Sequence, residues 1–146
     1  MIMQVSSIRQ ICLYWLPPLL FTAGIITLSG DLGSGGHTRR WLQCLFACLP
    51  FLEAGEVETV HVILRKAGHV TAYGFLYWLW FRAFAPRFSS RLRLAVFWSL
   101  GLCLLTASTD EIHQSVVGTR TGSILDVALD FGAAILTALA LSFKRI

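Results

Sequence analysis

Ionisable side chains stand at helical spacing inside apolar stretches of this chain. Arg65, Lys66, His69 and Tyr73 follow one another at intervals that put all four on one helix face. Asp110 and Glu111 come next with Gln114, then Arg120, then Ser123, Asp126 and Asp130. Asp110 and Gln114 are four apart, as are Asp126 and Asp130, and Ser123 lies three before Asp126. A charge inside a membrane span is costly and marks a functional site by default. Arginine offers phosphate or carboxylate a bidentate clamp and lysine a point charge. Arg65, Lys66 and Arg120 therefore suit an anionic group. His69 is the candidate general acid or base, with Asp110 and Glu111 as catalytic carboxylates that orient it or activate water. Tyr73, Gln114, Ser123, Asp126 and Asp130 complete the expected binding set, Tyr73 and Gln114 as hydrogen-bond partners inside the bundle.

Three other readings compete. The basic and acidic groups could neutralise one another as an interhelical ion-pair network, of the Arg65–Glu111 and Arg120–Asp126 type, with no chemistry. His69, Asp110, Glu111 and Asp126 could ligate a metal, but Arg65 and Lys66 beside them argue against a cation, so no metal and no cofactor is expected. A proton-relay transporter is disfavoured, because the charges gather toward one membrane face and four spans would need self-association to form a conduit.

The elements that must position these groups are membrane helices. The chain is 55% hydrophobic and 14% charged, against about 25% charged in a soluble domain. Its 146 residues support one domain, 1–146. Apolar runs predict four spans, at about 11–28, 62–84, 92–107 and 124–143. Pro17 and Pro18 are expected to kink the first. Between the first two, Gly30 to Gly36 forms a flexible linker. Trp41, Leu42, Leu45, Phe46 and Leu49 then pattern about 38–52 as an interfacial amphipathic helix. The expected fold is an all-α integral membrane protein, a four-helix transmembrane bundle with that additional interfacial helix. Gly132, Ala133 and Ala134 suggest close helix approach. Cys12 and Cys103 read as small apolar fillers. Cys44 and Cys48 share a helix face, where packing is favoured over a disulfide. His37 and His61 read as surface or interfacial, and His113 as a rim residue.

Charge sets the orientation. Arg9, Arg82, Arg87, Arg91, Arg93, Lys144 and Arg145 lie in segments without a single acid, while all eight acids lie on the opposite side. The positive-inside rule puts both termini in the cytoplasm and the polar clusters on the outer face of the plasma membrane. The net charge of +4 comes from these topology-setting residues. No nucleic-acid partner is expected.

The motifs R-K-x-x-H-x-x-x-Y (Arg65 to Tyr73), D-E-x-x-Q (Asp110 to Gln114) and R-x-x-S-x-x-D with a following glycine (Arg120, Ser123, Asp126, Gly132) resemble the VanZ-like membrane proteins. The resemblance covers about 63–134. Asp130 departs from it, standing where the family pattern usually has asparagine and adding a negative charge. The family's name-giving member is associated with low-level resistance to the glycopeptide teicoplanin. The resemblance implies a cell-envelope role, and no family-wide reaction comes with it. The resulting expectation is a protein that binds an anionic lipid headgroup or lipid-linked wall precursor, with hydrolase or transferase chemistry on it left open. The alternative is a non-enzymatic envelope or accessory protein whose charges form a structural network.

Overall fold

The computed structural model describes residues 8–28, 54–117 and 123–143. All are helical apart from the turn joining the second and third helices and Ser123. The expected interfacial helix at 38–52 lies outside the described residues, as do Arg120, His37, Cys44 and Cys48.

Helix α1 spans Ile8–Leu28, with a π-helical segment at Ile11–Trp15 leading into an α-helix at Leu16–Leu28. The prolines explain the irregularity. Pro17 has no N–H to give the carbonyl four residues back, which is that of Leu13. The turn ahead of it widens, and Leu16 N–H reaches the Ile11 carbonyl. The Leu13 carbonyl finds its donor on another helix, accepting a hydrogen bond from the Arg82 guanidinium.

Helix α2, Ala54–Phe84, is 31 residues long and ends just before Pro86. At 1.5 Å per residue it runs about 46 Å, longer than the roughly 30 Å apolar core of a bilayer. Helix α3, Leu92–Val117, extends ten residues past the expected end of the third span. No glycine or proline interrupts it after Gly101. Its Ser99, Thr106 and Thr109 hydroxyls donate back to carbonyls four residues earlier, which satisfies them within the helix. Helix α4, Ile124–Phe143, is capped by Ser123, whose carbonyl accepts from the N–H groups of Asp126 (2.9 Å) and Val127 (3.2 Å).

Three of the four, α1, α3 and α4, are long and apolar enough to cross a membrane. They turn large apolar side chains outward, among them Leu20, Phe97, Leu105 and Leu136. Helix α2 falls short of that apolarity because it carries Arg65, Lys66 and Arg82. It supplies most of the core instead: Tyr73, Leu76, Tyr77, Trp80 and Phe81 are all buried. A helix packed against three neighbours can carry charges that a lipid-facing helix cannot.

The closest approach between α2 and α4 is at Gly74, where an added Cβ would stand 2.9 Å from Thr137 Oγ1. That hydroxyl is already committed to the Ala133 carbonyl at 2.9 Å. Ala133, Ala134 and Ala138 are buried along the same helix, as expected for two of them, whereas Gly132 faces open space and serves no close contact. Cys103 is buried as a small filler, but Cys12 is exposed. His61, expected at the surface, is buried at 9% exposure.

Candidate functional site

The site is assembled from the Arg65–Tyr73 stretch of α2, the last third of α3 and the first turns of α4. Arg65, Gly68, His69, Ala72 and Tyr73 form a stripe along α2 that lines a cavity of about 360 Å³. Asp110 and Gln114 close it from α3. The remaining wall is apolar and comes from α1, through Leu20, Phe21, Gly24 and Ile25.

Two cross-helix pairs join α2 to α4. His69 Nδ1 lies 3.2 Å from Asp130 Oδ2, with the histidine half-buried and the aspartate fully buried. The carboxylate accepts and the imidazole donates, whether the ring is neutral or charged. Arg65 donates to Asp126 at 3.5 Å, a long contact between half-exposed side chains. The pairing differs from the sequence expectation of Arg65 with Glu111. Asp130, rather than Asp110, Glu111 or Asp126, is the carboxylate bonded to His69.

Glu111 does something else. Its Oε2 accepts the backbone N–H of Ser123 at 2.6 Å, placing a carboxylate at the N-terminus of α4, where the helix dipole favours negative charge. It opens on a separate cavity with Ser108, Ser115 and Ser123, away from the one lined by His69.

Asp110 is 1% exposed, and its Oδ2 accepts from Gln114 Nε2 at 3.3 Å. Gln114 thus bonds inside the bundle as expected. Tyr73 does not: its ring stacks on His69, with centroids 6.4 Å apart and planes 12° from parallel, and its buried hydroxyl has no hydrogen-bond partner among the described residues. The second oxygens of Asp110, Asp130 and Glu111, and Arg65 Nε, are likewise buried with no partner among the described residues. Unpaired buried polar atoms are uncommon and each needs a reason.

His69, Asp110 and Asp130 come together most tightly, each offering a ligand atom within 4.8 Å of the other two. Lys66 does not join them; it is exposed and makes no ion pair among the described residues. His113 is half-buried and lies outside the cavity, consistent with its expected rim position. The expected balance of charges is therefore absent among the described residues. Among them Asp126 pairs with Arg65 and Asp130 with His69, while Asp110 and Glu111 make no ion pair; Arg120 lies outside the described residues.

The α1 wall was not foreseen. Its signal was Gly24, a small residue among leucines and isoleucines in an otherwise featureless apolar span, which leaves room beside α2.

No curated protein and no solved structure matches this chain. A family model described as VanZ/LLP1 matches residues 13–145, nearly the whole sequence and every described element of the site. The chain is a membrane protein of the VanZ/LLP1 family.

Proposed function

We propose that this is a cell-envelope protein whose α1–α2 cleft binds the polar end of an anionic amphiphile, a membrane lipid or a lipid-linked wall precursor. The observation that carries this reading is the two-sided lining of the cavity. Leu20, Phe21 and Ile25 offer an acyl chain an apolar wall, while Arg65 and His69 offer donors to a head group. Arg65 has donors to spare, since its one contact is long and its Nε is buried without a partner. Lys66, exposed one residue from Arg65, would add positive charge at the rim.

In this reading all four helices cross the membrane. Helix α2 is admitted as a span because Arg65 and His69 pair with α4 and Arg82 is held by α1. Arg82, Arg87, Arg91 and Arg93 mark the cytoplasmic side with both termini, and the cleft faces outward from the plasma membrane. Family membership is consistent with an envelope role and an effect on glycopeptide susceptibility. His69, held by Asp130, would supply the proton transfer of a hydrolytic or group-transfer step on the bound head.

A second reading is favoured by the two cross-helix pairs themselves: the charges only fasten α2 to α4. Mass spectrometry of lipid copurified with the wild type and with Arg65→Ala, His69→Ala and Asp110→Asn separates the two. Anionic lipid on the wild type, lost from Arg65→Ala at unchanged folded yield, supports binding. Loss of folded yield in all three variants, with no anionic lipid on the wild type, supports the fastening role.

A further inference from the structure

We propose that His69, Asp110 and Asp130 form a site for a divalent first-row transition metal ion, Zn²⁺ or Mn²⁺. One nitrogen and two carboxylate oxygens, from three different helices, lie within 4.8 Å of one another. Ligands on bonds of about 2.1 Å stand roughly 3–3.5 Å apart, so small side-chain rotations would complete the set. A mixed set, with imidazole suited to Zn²⁺ and carboxylates to Mn²⁺, fits these ions better than all-oxygen Ca²⁺ or thiolate-seeking Cu⁺.

Burial and charge point the same way. Asp110 and Asp130 are 1% and 0% exposed, and each keeps one oxygen without a partner. Two carboxylates this close and this dry need a compensating cation. His69 supplies at most one charge, and Arg65 is engaged with Asp126. Of the two residues that argued against a cation, Lys66 is turned outward and Arg65, though it lines the cavity, is drawn to Asp126. Tyr73 stacks on His69, lines the same cavity and keeps an unpaired buried hydroxyl, a ready partner for a metal-bound water. Gln114 bonded to Asp110 would orient that ligand. The site does not depend on the amphiphile reading, since it needs no head group to fill it.

Full-length protein purified in detergent and stripped with chelator is titrated calorimetrically with Zn²⁺ and, separately, with Mn²⁺, which discriminates against the thiols of the chain. One ion per chain is expected. His69→Gln and Asp130→Asn should weaken it by at least about tenfold, the smallest loss seen even for outer partners of metal ligands. Asp126→Asn, an acid one turn away outside the set, should leave it unchanged. Absence of Mn²⁺ and Zn²⁺ binding to folded wild type overturns the proposal. So does an equal loss in Asp126→Asn and Asp130→Asn, which would mark general attraction to acidic groups. Neither result touches the lipid measurement, so the two ideas fail separately.

Discussion

Arg82 and Arg65 sit toward opposite ends of α2, about 25 Å apart along its axis, and are held in opposite ways. Arg82 is saturated. It gives a hydrogen bond to the Leu13 carbonyl freed by Pro17, and its guanidinium lies 5.3 Å from the Tyr14 ring centroid and 5.6 Å from that of Trp78. Trp15 packs edge-on against Phe84 beside it. Arg65 has one long contact, an unpaired Nε and a cavity in front of it. The same residue type thus closes one end of the α1–α2 pair and leaves the other open. A polar group whose bonds are all made within the protein serves the fold. One left short of partners beside a cavity is poised for a ligand, and natural proteins accept such local cost where they act.

Arg82→Ala should produce the largest loss. Removing a charged hydrogen bond and two ring contacts should cost about 3 kcal/mol, read as thermal unfolding in detergent. Arg82→Lys should recover only part, because an ammonium lacks the planar fork. Gly74→Ala should come next, at about 1 kcal/mol, since the new methyl must push Thr137 off the Ala133 carbonyl. Arg65→Ala should shift unfolding by less than about 1 kcal/mol, because its pair is long and half-exposed, while reducing copurified anionic lipid. Gly132→Ala should be smallest, neutral to slightly stabilising, as nothing lies within reach of the added methyl. An Arg82→Ala protein as stable as wild type would erase the contrast between the two ends. An Arg65→Ala protein that loses several kcal/mol would do the same from the other side.

Much of the site was legible because helical spacing is a local property. The stripe Arg65, His69, Tyr73 was read from intervals alone and lines one cavity. The VanZ-like resemblance, carried by three short motifs, extends as a family match over nearly the whole chain. What spacing could not give was the rotation of each helix against its neighbours. Asp126 and Asp130 share a face, so the sequence could not say that Asp130 takes His69 and Asp126 takes Arg65. Glu111 and Asp110 are adjacent and hence about 100° apart around α3, which sends one to Ser123 and the other to the cavity. The small-residue run pointed to Gly132 for close approach, yet of the two it is Gly74 that meets a neighbour. The apolar run at 62–84 could not show that Arg65 and His69 would find partners on α4.

Asp130→Asn in chelator-treated protein tests the central distinction most directly, because asparagine keeps the shape and the acceptor for His69 and removes only the buried charge. Thermal unfolding should match or exceed the wild type, by about 1 kcal/mol, as expected where a site holds charge at the expense of stability. A drop as large as that of Arg82→Ala would contradict this account and make the His69–Asp130 cluster a fastening like the Arg82 end.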